Sequence, residues 1–258
     1  MSAAKLIGVQ PDIAWEDKAA TFERVRRLLA GSPPEPGSLV VLPEMFSTGF
    51  SMNVAGIHEG AERPAERFLQ ALAREYRAVV LGGAVNIGPD GRGRNQAVAF
   101  SPDGAEVVRY DKMYPFSLGK ETDHYTAGTG VKLFEWQGFK VAPFVCYDLR
   151  FPEIFRHATA AGAELMIVIA SWPFPRVQHW VTLLQARAIE NQAYVIGVNR
   201  CGADPQHTYP GRSSMYGPRG EILIDAGDAP GVIRSDVSLE IIRGWRRDFP
   251  VLRDARLC

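Results

Sequence analysis

The sequence predicts an α/β protein of four layers, α-β-β-α, in which two mixed sheets pack together and helices cover their outer faces. Three observations carry this. Short apolar runs rich in β-branched residues alternate with amphipathic helical runs, the pattern of βαβ units. Hairpin junctions interrupt the alternation, so the sheets are not purely parallel. The chain has 258 residues, 46% hydrophobic and 22% charged, enough to bury a sizeable core as one domain expected over residues 1–258.

The elements follow in order. Leu6–Val9 and Ser38–Leu42 read as strands, with a helix at Thr21–Leu29 between them. Gly31-Ser-Pro-Pro-Glu-Pro-Gly37 is a surface loop. Glu62–Tyr76 places Ala65, Phe68, Leu69 and Leu72 on one helical face. Ala78–Val85 is a buried strand. Gln96–Phe100 and Glu106–Tyr110 form a hairpin, because Ser101-Pro102-Asp103-Gly104 suits the turn's backbone angles. A second hairpin spans Leu133–Phe144, turning near Gln137-Gly138. Pro152–Ala161 is a helix with Pro152 in its first turn. Glu164–Ser171 and Ala193–Asn199 are buried strands on either side of a helix at Val177–Asn191. Met215–Ile224 holds a third hairpin around Gly217–Gly220, and Leu239–Trp245 is helical.

Charge narrows the function classes. Lys plus Arg balances Asp plus Glu at 29 each, so no broad basic field invites nucleic acid. The densest basic spot, Arg243-Gly-Trp-Arg-Arg247, reads as a solvated helix face. The cysteines are Cys146, Cys201 and Cys258, with no CxxC pair and no disulfide framework. Met1–Lys5 carries no basic leader pattern, and no apolar stretch reaches membrane-spanning length. The expectation is a cytoplasmic protein without nucleic-acid or membrane partners.

Chemistry concentrates at three strand ends. In Val141-Ala-Pro-Phe-Val145-Cys146-Tyr147-Asp148, an apolar run delivers a thiol to a turn, where a helix N-terminus would favour the thiolate. Taken alone, the same run describes an inert core cysteine equally well. A cysteine hydrolase needs a base and oxyanion donors. None of the five histidines sits in a papain-like or caspase-like context, so the base is sought among carboxylates. Glu44 follows Val40-Val41-Leu42-Pro43, where desolvation would make it a usable base; a solvated strand-end glutamate is the plainer account. Lys112, in Tyr110-Asp111-Lys112-Met113-Tyr114, could hold an oxyanion or simply form a surface ion pair. No HExxH and no paired Cys/His cluster suggests a metal, and no cofactor is called for.

Taken together, Leu42-Pro43-Glu44-Met45-Phe46, Tyr110-Asp111-Lys112 and Val145-Cys146-Tyr147-Asp148-Leu149-Arg150-Phe151-Pro152-Glu153 resemble the nitrilase superfamily, the carbon–nitrogen hydrolases, over essentially the whole chain. The resemblance implies the α-β-β-α sandwich, a Glu44–Lys112–Cys146 triad, and a homodimer or larger homo-oligomer. It adds a second glutamate after the lysine, a position Glu121 matches; a loop surface charge is the alternative. The backbone N–H of Tyr147 becomes an oxyanion donor beside Lys112.

Within the superfamily the chain is similar to the omega-amidase branch, through Cys146–Glu153, Ala170-Ser171-Trp172-Pro173 and Gln185–Tyr194. That branch hydrolyses the distal amide of short dicarboxylic monoamides, 2-oxoglutaramate and 2-oxosuccinamate. Related N-carbamoyl amino acid hydrolases use an arginine at the offset of Arg150 for the substrate carboxylate; a structural pair with Asp148 or Glu153 is the alternative. Trp172 and Phe116 are candidates for pocket walls or for core packing. Arg187 and Glu190 read as an intrahelical pair. Other family amidohydrolases, and an idle protein of this fold, remain rival readings.

Overall fold

A computed structural model describes residues 3–255. Met1, Ser2 and Cys258, which entered the reading of leader and cysteine content, lie outside the described residues. The strands are β1 (Ala4–Gln10), β2 (Leu39–Val41), β3 (Val79–Ile87), β4 (Gly93–Phe100), β5 (Glu106–Asp111), β6 (Phe134–Trp136), β7 (Phe139–Val145), β8 (Leu165–Ala170), β9 (Tyr194–Asn199), β10 (Cys201–Ala203), β11 (Thr208–Pro210), β12 (Ser214–Tyr216), β13 (Ile222–Asp225) and β14 (Gly231–Val237). The helices are α1 (Lys18–Gly31), α2 (Val54–Ile57), α3 (Pro64–Tyr76), α4 (Glu121–His124), α5 (Pro152–Ala160), α6 (Val177–Asn191) and α7 (Leu239–Asp248).

Two six-stranded sheets result, ordered β14-β1-β2-β3-β4-β5 and β13-β12-β9-β8-β7-β6. In each, three strands run parallel and antiparallel strands flank them. The mixed α/β sandwich expected from the sequence is the observed architecture. Side-chain alternation explains it. Leu39 and Val41 of β2 join Leu6, Leu81 and Ala97 against Phe144, Ile196 and Val198 of the second sheet. Val40 and Leu42 point the other way, onto Val25, Leu29, Leu69 and Leu72 of α1 and α3. A strand buried on both faces reads as a continuous apolar run, which is why β2 was visible from three residues.

Local chemistry sets several boundaries. Asp17 caps α1 by accepting from the Ala20 N–H at 2.9 Å. Pro152 opens α5, where its missing N–H costs nothing. Among the expected hairpins, the turn at Gln137-Gly138 uses positive φ at both residues, +48° and +81°.

The sequence reading did not include β14, which closes the first sheet by pairing antiparallel with β1. Only Ile233 and Val237 of it are buried, and Arg234 and Asp236 alternate with them, as suits an exposed edge strand. The basic spot at 243–247 is also more engaged than a solvated face. Arg246 donates to the carbonyls of Asn191 and Gln192 at the C-terminal end of α6, where a cation is favoured, and to that of Ala163 just beyond α5. Arg243 pairs with Glu164 at 2.7 Å. No helix among the described residues is long and apolar enough to cross a membrane.

Candidate active site

The C-terminal ends of β2, β5 and β7 converge. Glu44 follows β2 in a loop that is tightly seated: a Cβ on Gly83 of β3 would lie 2.2 Å from the Met45 nitrogen and 2.7 Å from Glu44 Cα. Only glycine allows that approach, and the Gly83 N–H then bonds the Pro43 carbonyl at 3.0 Å. Lys112 follows β5, its N–H bonded to the Asn95 carbonyl at 2.9 Å. Glu121 opens the short α4. All three side chains are 0–1% exposed.

Lys112 Nζ donates to Glu44 Oε1 at 2.9 Å and to Glu121 Oε2 at 2.8 Å. Glu121 is thus a partner of the lysine and not a loop surface charge. Asn95 Nδ2 bridges the two acids, at 2.7 Å to Glu44 and 2.8 Å to Glu121. The Ser171 N–H at the end of β8 reaches Glu44 Oε2 at 2.8 Å, and the Phe116 N–H reaches Glu121 Oε2 at 2.6 Å. Every oxygen of both carboxylates therefore has a donor, as buried charges require.

Cys146 begins a 3-10 turn, Cys146–Arg150, immediately after β7. Its φ is +49°, the left-handed region that a non-glycine residue adopts only when its surroundings impose it. Asp148 imposes it here, accepting from the Val145 N–H at 2.9 Å, the Tyr114 N–H at 2.9 Å and the Tyr110 hydroxyl at 2.8 Å. Three segments are thereby tied to the elbow that carries the thiol.

The electrostatics differ from the sequence reading. A helix terminus was expected to favour the thiolate. Instead burial pushes the Cys146 thiol well up, and Glu44 pushes it further. Lys112 and the Ser171 N–H pull the other way without prevailing. The α-helix proper, α5, starts only at Pro152, so its field is not centred on the sulfur. At Lys112, burial works against the ammonium, but Glu121 and Glu44 outweigh it and hold the group firmly charged. The resting arrangement is a neutral thiol beside a fixed ammonium and two hydrogen-bonded acids.

Cys146 and Ser171 surface in a cavity of about 130 Å³. Phe50, Phe116, Tyr147, Trp172 and Trp15 give it aromatic walls, and Arg150, Arg176 and His207 stand among them. Glu44, Lys112 and Glu121 lie behind this wall, with Lys112 Nζ 5.2 Å from the Phe50 ring centroid. Trp172 and Phe116 are wall residues here as well as packed aromatics. Arg150 pairs with neither Asp148 nor Glu153. It stacks on Trp172 at 4.7 Å and Tyr147 at 5.9 Å, and touches His179 Nδ1 at 3.3 Å. Arg187 and Glu190 do form the intrahelical pair, at 2.9 Å. Tyr147 lies at the first turn after the thiol, where backbone N–H groups have no partner within the turn.

Several participants escaped the sequence reading. Asn95 lies in the polar start of β4, Gly93-Arg94-Asn95-Gln96, and carries no local signal of its role. Asp148 entered the sequence reading as a motif residue and a possible partner of Arg150, not as the anchor of the elbow. The β10–β11 hairpin, which brings Asp204, Gln206, His207 and Tyr209 to the cavity, carries no local signal of that role.

The chain is similar to known proteins over nearly its whole length. The carbon-nitrogen hydrolase family pattern matches residues 6–247. The chain is 38% identical to an omega-amidase of Yersinia enterocolitica, covering 98% of this chain and 97% of that protein. It is 32% identical to a 2-oxoglutaramate amidase of Bacillus subtilis, covering 84% and 85%. Among solved structures, a CN-hydrolase superfamily protein from Xanthomonas campestris superposes with a TM-score of 0.92 at 31% identity, covering 99% of this chain and 98% of that one.

Proposed function

We propose that this chain, which belongs to the carbon–nitrogen hydrolase family and is an amidohydrolase, acts as an omega-amidase on short dicarboxylic monoamides such as 2-oxoglutaramate and 2-oxosuccinamate. The observation that carries this reading is one cavity holding both the Cys146 thiol and the Arg150 guanidinium, the latter without an acid partner. An amide at one end and a carboxylate at the other is the substrate such a cavity suits, since guanidinium groups bind carboxylates in a bidentate fork. The names borne by the relatives from Yersinia and Bacillus point the same way.

The chemistry follows from the residues. Glu44 takes the proton of the Cys146 thiol, as the upward-shifted thiol requires. Sulfur attacks the amide carbon, and the resulting oxyanion is held by Lys112 Nζ and the Tyr147 N–H. The tetrahedral adduct collapses as Glu44 returns the proton to the leaving nitrogen, releasing ammonia and leaving a thioester. Water, deprotonated by Glu44, attacks the thioester carbon. The C–S bond breaks, the 2-oxo diacid departs, and the thiolate recovers its proton from Glu44. Glu121 and Asn95 keep Lys112 and Glu44 in register throughout. The family also leads us to expect a homodimer or larger homo-oligomer.

Ammonia release from 2-oxoglutaramate, a short aliphatic nitrile and an N-carbamoyl amino acid tests this reading. The expected order puts 2-oxoglutaramate first by a wide margin, and Cys146→Ala lowers its turnover by about 10⁴-fold or more. Faster turnover of the nitrile or the carbamoyl compound would overturn the omega-amidase reading.

A further inference from the structure

Arg150 is not the cavity's sole unpaired guanidinium. Arg176 also lines it, with Cζ 5.5 Å from the centroid of the Phe116 ring. Among the described residues neither arginine has a carboxylate partner, whereas Arg187, Arg200 and Arg212 nearby each have one. The two cations are close enough to oppose each other: burial weakens the charge on Arg150, and Arg176 adds to that.

Apart from its contact with the Phe116 ring, the placement of Arg176 does not favour its charge. It occupies the N-cap position of α6, a 15-residue helix, where the helix field disfavours a cation. Its backbone is nevertheless fixed, since Trp172 Nε1 donates to the Arg176 carbonyl at 2.7 Å. Trp172 is in turn held by Asn199, which accepts from the Trp172 N–H at 2.7 Å and donates to its carbonyl at 3.0 Å. A rigid support thus presents an uncompensated cation to the same space as Arg150 and Cys146.

The cavity offers no counterweight. Asp204 is the one acid among its lining residues, and it is already engaged. Its Oδ1 accepts from the N–H groups of Gln206 at 2.8 Å and His207 at 2.7 Å, and its Oδ2 accepts from the Tyr209 hydroxyl. An incoming α-ammonium would meet two guanidiniums and no free carboxylate. An incoming 2-oxo acid would meet donors for both its carboxylate and its keto oxygen.

We propose that Arg176 is a specificity-determining residue: with Arg150 it forms a double guanidinium receptor that selects a 2-oxo carboxylate over a 2-amino carboxylate at the end of the substrate remote from the amide. This deepens the omega-amidase reading and rests on it.

Two measurements test it. The first compares ammonia release from 2-oxoglutaramate, glutamine and uncharged butyramide in wild type, Arg176→Gln and Arg176→Lys. Loss of one charge-assisted contact should cut the preference for 2-oxoglutaramate over butyramide by about ten- to a hundredfold in Arg176→Gln, chiefly through KM, with partial recovery in Arg176→Lys. The ratio of glutamine to 2-oxoglutaramate turnover should rise. A merely structural role would depress all three substrates alike and leave the ratios where they were, which would overturn the proposal. The second titrates 2-oxoglutarate into Cys146→Ala and Cys146→Ala/Arg176→Gln by calorimetry. Affinity should fall by a similar factor, and equal affinities would overturn the proposal whatever amide the enzyme prefers. If wild type itself shows no preference for 2-oxoglutaramate over butyramide while the calorimetric loss is seen, the omega-amidase reading fails and the Arg176 receptor stands.

Discussion

Two charge networks in this molecule, each built on a buried glutamate, serve opposite ends. At Glu66, on α3, one acid is met by an excess of donors. Arg109 reaches it with both terminal nitrogens, at 2.9 and 3.0 Å, Arg63 adds a third guanidinium contact, and Asn86 donates at 2.8 Å. Burial raises the Glu66 carboxyl, yet these partners outweigh it and hold it below its usual range. At Glu44 acid is in excess: two acids share one ammonium, a thiol sits beside them, and a cavity adjoins. The first network is a closed staple between α3 and the β4–β5 hairpin. The second leaves a proton acceptor and a protonated nucleophile side by side. Glu106 also pairs with Arg109 and Arg63, so the charges of the first network balance and the tie is permanent, whereas an excess of acid beside a cavity-facing thiol leaves proton chemistry to be done.

The sharpest way to break this contrast is to remove the cation from each network. Lys112→Met should abolish most activity, by about 10²–10³-fold or more, and destabilise the fold by about 3–5 kcal/mol, because two buried carboxylates lose their one counter-charge. Arg109→Met should cost about 1–3 kcal/mol while leaving kcat/KM within about twofold in the folded protein. Urea unfolding beside ammonia release checks both, and a collapse of activity in folded Arg109→Met would erase the distinction.

Asn95→Ala gives a smaller, more selective effect. It removes the bridge between Glu44 and Glu121 but no charge. Turnover should fall about ten- to a hundredfold with little change in KM, since the acids lose register and not the substrate site. A change confined to KM would instead put Asn95 in contact with substrate.

The smallest effect is in the pH dependence of stability, where the two regions should tilt in opposite directions. Burial pushes the Asp148 carboxyl under the thiol elbow up to about 7. The fold therefore favours its protonated form. That contribution is whole below the ordinary carboxylate pKa and is lost as pH rises to about 7. Glu66 is shifted down, so its contribution is present above the ordinary carboxylate pKa and is lost as pH falls through the depressed value. Urea midpoints from about pH 3 to about pH 8 should show Asp148→Asn flattening the decline toward neutrality and Glu66→Gln flattening the decline toward acid. A mutant that leaves its own limb unchanged would contradict the assigned direction.

The legibility of the fold in the sequence varied by element for physical reasons. Buried central strands such as β2, β8 and β9 are apolar on both faces and announce themselves. Hairpins declare their turns through glycine and proline. The edge strand β14 is half solvated and charged, and its pairing with β1 joins the two ends of the chain, which no local pattern reports. The site divides the same way. Glu44 and Cys146 stand at the ends of apolar runs, where a polar residue is conspicuous, and Lys112 is a charge among aromatics at a strand end. Arg176 and Asn95 are unremarkable in their own segments and acquire meaning only from neighbours distant in sequence.

The order of strands and helices, the absence of a broad basic field, and the candidate acid, ammonium and thiol were all determined by the sequence, because hydrophobic period and strand-end polarity are local properties. Which acid holds the lysine, why the thiol is neutral at rest, and which arginines go without a partner were decided only by the tertiary structure. Those are questions of burial and distance, and the chain settles them by bringing together residues that are separated by 51 positions, as Glu44 and Asn95 are, or 127, as Glu44 and Ser171 are.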